Sequence, residues 1–236
     1  AEIARAFAAS PFNARPMTSA YCYLTDQLVR TTLQIAGQRL HPVETLGPND
    51  RLAVIGVGGY GRGEMAPYSD VDLLFLIPQT PSQRTENLIE SMLYMLWDLK
   101  LKVGHSTRTI RDCVTLGRED FTIQTALLEH RFIAADVALA QDLDETLKTD
   151  LFAGTGRSFI EAKLEERDAR HRKQGLRYVV EPNVKEAKGG LRDLQSLFWI
   201  AKHIYSVEHA ADLVDRGVFL EEEFKTFVAA ENFLWA

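Results

Sequence analysis

The sequence predicts an α/β chain: a small mixed sheet near the middle, followed by an all-helical domain. Three observations predict it. Apolar runs ended by glycine or proline, Leu52–Val57 and Val71–Ile77, read as strands, and Leu101–Thr109, LKVGHSTRT, reads as a third. Arg84–Lys100 lies between the last two with helical apolar spacing, at Leu88, Met92, Leu96 and Leu99. Beyond Glu119 the spacing is helical. With 236 residues, 46% hydrophobic and 25% charged, the chain can bury one large core or two small ones.

Each element has a local reason. Residues 1–15 are Ala-rich and broken by Pro11, which suggests a frayed helix or arm. Thr18 is placed to cap a helix running to about Leu40, with Leu24, Leu28, Leu33 and Ile35 as apolar positions. His41-Pro42 and Gly47-Pro48-Asn49-Asp50 punctuate. Ser82 is a candidate cap for the helix over 84–100, whose Met92, Met95 and Trp97 read as core filling. Glu119–Ala134 and Asp136–Phe152 read as helices. Gly154-Thr155-Gly156 marks a boundary. Arg157–Lys173 reads as an exposed helix with Glu166–Arg170 and Asp168–Arg172 pairs. Leu191–Tyr205 is amphipathic, with Leu191, Leu194, Phe198, Ala201 and Ile204 inward, and Val218–Trp235 is helical. The expected division is an N-terminal helical arm over 1–42, a sheet-bearing domain over 43–153 and a helical domain over 154–236. The chain starts and ends inside helical patterns, as part of a longer protein would.

Composition excludes several classes. A net charge of −6 argues against nucleic acid as the partner. Cys22 and Cys113 form no pair motif, so neither a disulfide framework nor a zinc site is expected, and a reducing compartment, the cytoplasm, is. No run approaches the roughly 18 apolar residues of a membrane span, and no signal-peptide pattern opens the chain.

The chemistry concentrates in Gly56–Ile77, GVGGYGRGEMAPYSDVDLLFLI. Asp70 and Asp72 head the second strand and, two residues apart, share a face, while Val71 points to the core. Two adjacent carboxylates at a buried strand end repel, and a divalent cation such as Mg²⁺ or Mn²⁺ relieves that repulsion. Gly56, Gly58, Gly59, Gly61 and Gly63 allow backbone N–H groups to turn toward an anion. A glycine turn or a strand-end Asp-x-Asp has a bland reading when alone. Together, in this order, they suit phosphoryl or nucleotidyl transfer. Gly56-x-Gly58-x-x-Gly61 also matches a dinucleotide fingerprint, but Pro67 leaves room for only a turn or two of helix. No Gly-Lys-Ser/Thr follows, which rules out a P-loop.

This stretch resembles the nucleotidyltransferase superfamily that includes DNA polymerase β, with Gly58-Gly59 and Asp70-Val71-Asp72 as its two signature elements. The longer strings GGYGRGE and PYSDVDLL resemble, more narrowly, the bacterial PII uridylyltransferases of nitrogen control. Downstream, Asn183-Val184-Lys185 and Gly189-Gly190-Leu191-Arg192-Asp193 are similar to a motif of those enzymes, with a related form in glutamine synthetase adenylyltransferases. Taken alone, the two glycines ahead of a helix, with Lys185, Lys188 and Arg192 nearby, read as a helix start or an anion-binding corner. Residues 157–193 hold ten Lys/Arg against seven Asp/Glu, a local excess suited to a triphosphate.

The resemblance implies UTP as substrate and a tyrosine hydroxyl of the PII signalling protein as acceptor. It implies that Asp70 and Asp72 hold Mg²⁺ or Mn²⁺ and that Gly58, Gly59 and Gly61 offer N–H groups to phosphates. Ser69 would meet a phosphate oxygen or a metal-bound water, and Arg62 a phosphate or the loop itself. Lys185 and Arg192 would bind phosphate from the helical side. A different base or acceptor, or a nucleotide-sensing module with a degenerate site, is the alternative. In the superfamily a third acid commonly sits on the next strand. None stands in Leu101–Thr109, so Asp112, Asp120 and Glu129 are the candidates, with His105 and Arg108 on opposite faces of that strand. None of the six histidines precedes an aspartate, so the metal-dependent uridylyl removal of the full-length enzymes, and their glutamine response, are not expected here.

Overall fold

The computed structural model describes Arg5 and residues 15–66, 68–173 and 183–235. The frayed segment expected over 1–15, apart from Arg5 and Arg15, and Pro67, Glu181 and Pro182 lie outside the described residues. The chain divides into two compact units, one holding residues 16–151 and the other 152–236.

The first unit opens with α1 (Arg15–Ile35), which ends in a wider turn at Ala36–Leu40. Then follow β1 (Ala53–Gly56), the single turn α2 (Gly58–Gly61), β2 (Val71–Leu76), α3 (Gln83–Asp98) and β3 (Val103–Arg108). After these come α4 (Ile110–Glu119), α5 (Phe121–Leu128), β4 (Arg131–Ala135) and α6 (Val137–Thr146). The sheet order is β3-β2-β1-β4, with β1 antiparallel to both neighbours and β2 parallel to β3. A parallel pair needs a crossover, and α3 supplies it. The mixed sheet over the predicted strands is therefore present.

One sheet face, with Val54, Val71, Leu73 and Phe75, packs with Val29 of α1 and Met92 and Leu96 of α3. Across the other side, α6 packs on β1 and β4, and α4 packs on α5 and α6. Ser82 caps α3 as expected, its Oγ accepting the Thr85 N–H. Arg51 clamps the start of β1 to Asp136, the cap of α6, with Nε at 2.6 Å from Oδ2.

Several sequence expectations are corrected. The helix expected over 119–134 is the end of α4, one short helix, α5, and the strand β4. Asp120 breaks the helical run by capping α5, and β4 completes the sheet by pairing with β1. Thr18 lies inside α1 and does not cap it. The buried side of α1 carries Cys22, Thr25, Asp26, Val29 and Thr32, whereas Leu24 and Ile35 face solvent. Met92 is core as expected, but Trp97 and Leu99 are exposed, and Trp97 meets Tyr94 and His105 edge-on.

The second unit contains α7 (Gly156–Lys173), α8 (Leu191–Tyr205), the short α9 (Asp212–Asp215) and α10 (Glu221–Trp235). Its regular elements among the described residues are all helices, and α8 packs on α7 and α10. Phe159, Trp199, Ala201 and His203 are buried, while Ile204, expected inward, is exposed. The ion pairs expected along α7 are replaced. Lys163 pairs with Glu166, Asp168 with Arg167, and Arg170 with Asp193. Lys163 is only 3% exposed, its ammonium lying 5.4 Å from the Trp199 ring centroid, so α7 is not simply a solvated helix. Among the described residues no helix is long and apolar enough to cross a membrane.

Candidate active site

The site begins where β1 ends. Val57 carries the chain from Gly56 into α2, and its N–H donates to the Asp72 carbonyl at 3.0 Å, which ties the glycine turn to β2. Gly58 has φ +59°, a conformation that favours glycine. Asp70 stands just ahead of β2 and is exposed, whereas Asp72 is half-buried inside the strand. Val71 between them is in the core, as the alternation requires. Burial first, and then the Asp70 charge, push the Asp72 carboxyl above its ordinary pKa. Among the described residues neither carboxylate has a hydrogen-bond or ion-pair partner.

These two oxygens-only ligands fit a hard divalent cation. No cluster of three or more metal-ligating side chains occurs among the described residues. Magnesium is commonly held by one or two carboxylates, with substrate phosphates and water completing the shell. The candidate third acids are engaged elsewhere. Asp112 accepts the Thr109 N–H and hydroxyl, Asp120 accepts the Thr122 N–H, and the buried Glu129 accepts from Arg62. His105 pairs with Leu73, on the opposite sheet face from Asp72, and Arg108 pairs with Leu76 at the other end of β3.

The glycine turn is braced from behind. Arg131, the first residue of β4, donates from Nε to the Gly61 carbonyl and from Nη2 to the Tyr60 carbonyl, both at 3.1 Å. The same guanidinium grips both Asp26 carboxylate oxygens, and the Tyr60 hydroxyl donates to Asp26 Oδ1 at 2.7 Å. Burial, with the Asp26 hydrogen bond behind it, raises the Tyr60 pKa strongly, so the phenol stays protonated. Arg62 donates to Glu64 and Glu129, at 2.8 and 2.9 Å. Of its two expected roles, these contacts describe the loop anchor. The Gly61 N–H goes to the Val57 carbonyl, and a Cβ at Gly61 would lie 2.0 Å from the Glu129 carbonyl oxygen. That glycine is therefore a packing requirement, not a phosphate donor as expected. Ser69 closes its own turn, its Oγ accepting the Ala66 N–H.

Sequence reasoning missed Asp26, Tyr60, Glu129 and Arg131 as supports of the turn. No sequence signal marked them, since the burial of Asp26 on α1 is known only from the structure.

In the second unit, the motif around Gly189-Gly190 closes on itself. The N–H groups of Leu191 and Arg192 donate to the carbonyls of Val184 and Lys185, and the Asp193 N–H to Gly190. The Gly189 N–H donates to Asp193 Oδ2, and that carboxylate also accepts from Arg170 and His171. Burial raises the Asp193 pKa, but these donors outweigh it and hold the carboxyl below its ordinary value. The backbone corner expected to bind an anion is thus filled by its own loop. Arg192 reaches Glu186 and Gln195 and lies over Trp199, whereas Lys185 and Lys188 are exposed.

A glycine turn braced against a mixed sheet, facing an Asp-x-Asp strand, defines a nucleotidyltransferase domain, and a family model described as "Nucleotidyltransferase domain" matches residues 43–133. A second model, "GlnD PII-uridylyltransferase", matches residues 158–236. The chain is a relative, along its whole length, of the bifunctional uridylyltransferase/uridylyl-removing enzymes. It is 63% identical over 236 residues to the one from Ruegeria pomeroyi, which is 100% of this chain and 26% of that protein. It is 58% identical over 235 residues to that of Cereibacter sphaeroides, covering 99% of the chain and 25% of the relative. For Rhodopseudomonas palustris the figures are 49% over 216 residues, 91% and 23%. The chain thus spans about a quarter of the length of these relatives. The resemblance read from the two motifs is borne out, and a nucleotidyltransferase domain generally implies divalent-metal use.

Proposed function

We propose that this chain transfers UMP from UTP to a tyrosine hydroxyl of the PII nitrogen-regulatory protein, with release of pyrophosphate. The observation that carries this reading is the unpartnered Asp70–Asp72 pair beside the Gly58–Gly59 turn, in a chain related throughout to uridylyltransferases. Among the described backbone bonds none uses the Gly58 or Gly59 N–H, so both are available to the β and γ phosphates. Gly61 shapes that turn, Arg62 fixes it, and Ser69 retains its hydroxyl proton for a phosphate oxygen. Lys185 and Arg192 serve as further phosphate ligands.

Asp70 and Asp72 would hold Mg²⁺ or Mn²⁺, which, when bound, neutralises the triphosphate and makes the acceptor hydroxyl more acidic. The tyrosine oxygen forms a bond to the α-phosphorus, the bond to the pyrophosphate oxygen breaks, and the phenolic proton leaves to solvent. In-line transfer of this kind rests on positioning and charge, so no protein nucleophile is required.

We read residues 43–153 as the nucleotidyltransferase domain, 1–42 as an N-terminal helical arm and 154–236 as the helical domain. The setting is cytoplasmic, with no nucleic-acid or membrane partner, in keeping with the net charge of −6 and two buried free cysteines.

Thermal shift with UTP, ATP, CTP and GTP plus Mg²⁺ tests the base, since a ligand that binds the native state raises the melting temperature. Transfer of label from α-³²P-UTP to PII tests the reaction. A preference for ATP would point to protein adenylylation. Binding without transfer would leave a nucleotide sensor, and the two-acid site is the feature that favours that second reading.

A further inference from the structure

Gly104 of β3 is the register partner of Asp72 on β2. Register neighbours in a parallel pair project to the same sheet face, so a side chain at 104 would enter the space that Asp72 occupies. A Cβ at 104 would lie 2.5 Å from Asp72 Oδ1. On the other side, a Cβ at Gly58 would lie 3.4 Å from Asp72 Oδ2, and the positive φ of Gly58 already favours glycine. The carboxylate thus sits in a slot with glycine backbone against each oxygen. Gly104 is exposed in an edge strand, where glycine weakens pairing and almost any other residue would strengthen it. Strand stability therefore gives no reason for a glycine here, and the Asp72 carboxylate does.

We propose, resting on the nucleotidyltransferase reading above, that Gly104 is a positioning residue for the cation site. Its missing side chain leaves room for the rotamer in which Asp72 faces the same cation as Asp70. The same crowding bars a third acid from the β3 position beside Asp72, so the protein supplies two carboxylates and the nucleotide completes the ligand shell. Rotation of a short side chain relieves a clash without unfolding the strand, so a residue at 104 displaces Asp72 and leaves the fold intact.

The test is Mn²⁺ binding, followed by loss of the free-ion EPR signal, measured without nucleotide so that no triphosphate takes up the ion. The chain is compared with Gly104→Ala, Gly104→Asp, Asp72→Asn and Ser106→Ala, the last on the same face of β3. Gly104→Ala and Gly104→Asp are expected to weaken Mn²⁺ binding by about tenfold or more, as loss of ligand support does. Their metal-free melting temperatures are expected to equal or exceed that of the parent, and Ser106→Ala to bind as the parent does. A purely structural glycine would lower the melting temperature and spare the affinity. Retention of affinity in Gly104→Ala, or a gain in Gly104→Asp, with binding lost in Asp72→Asn, overturns this proposal alone. Mn²⁺ binding that survives Asp72→Asn overturns the reading of Asp70 and Asp72 as the metal pair, and this proposal with it.

Discussion

Asp26→Ala is the most informative perturbation of the scaffold, because one carboxylate serves two buried partners. Its Oδ1 accepts the Tyr60 hydroxyl and one guanidinium nitrogen of Arg131, and its Oδ2 accepts the other. Removal of one member of a buried ion pair costs about 3–5 kcal/mol, since the remaining charge is stranded. The Arg131 side chain is 33% exposed, so water reaches it and that figure falls to about 2–3 kcal/mol. The Tyr60 hydroxyl, at 1% residue exposure, also loses its acceptor, which costs about 1–3 kcal/mol. Both losses come from one network and do not simply add, so about 3–4 kcal/mol is expected. Adding Tyr60→Phe to Asp26→Ala should cost little more, because the phenol is already without its acceptor. Urea unfolding of the parent, the two single variants and the double variant measures this coupling. A loss below about 1 kcal/mol for Asp26→Ala, or full additivity with Tyr60→Phe, would refute the reasoning.

The remaining predictions concern the site, the turn and the second unit. Asp70→Asn and Asp72→Asn should each lower uridylyl transfer by about a hundredfold or more, while the metal-free protein stays as stable or gains slightly, since one of two repelling charges is gone. A near-normal rate from a labelled-UTP assay in either variant counts against the metal pair. Gly61→Ala should destabilise by about 3 kcal/mol or more in urea titration, because its Cβ would meet backbone carbonyl oxygens at 2.0 and 2.9 Å. Chelation by EDTA should abolish any rise in melting temperature produced by UTP. His203 is stacked on Phe159, and burial, outweighing a backbone hydrogen bond, holds its pKa below the ordinary 6.5. A depressed folded pKa means that the unfolded chain binds the proton more readily. Stability is therefore complete above pH 6.5 and declines as pH falls from 6.5 toward the folded value. Urea midpoints compared across that range should show this decline in the parent and lose it in His203→Gln.

What the sequence disclosed and what it concealed follow from the same physics. β2 was legible because both faces of Leu73–Leu76 are buried, which leaves an unbroken apolar run that ends at Pro78. β4 was not, because it is an edge strand of five residues whose Ile133 alone is fully buried. Leu127 and Leu128 just before it continue a helical spacing into its first residues, and only the Asp120 cap and pairing with β1 separate helix from strand. α1 misled for a different reason. Its buried side holds Thr25, Asp26 and Thr32, while Leu24 and Ile35 lie outside and Leu33 packs against the core, so apolar periodicity marked the buried side only in part. A polar residue on a buried face needs partners that are distant in sequence, and Arg131 lies 105 residues from Asp26. The same divide runs through the site. Asp70 and Asp72 stood out as candidates because metal-dependent transfer would call for such groups at that spacing. Arg131, Glu129 and Gly104 did not, because their roles arise from what the fold sets beside them. Gly104 is the extreme case: glycine carries no signal of its own, and its meaning comes entirely from the register that places it opposite Asp72. A variant that restores an ordinary strand residue there therefore separates the demands of the sheet from those of the carboxylate.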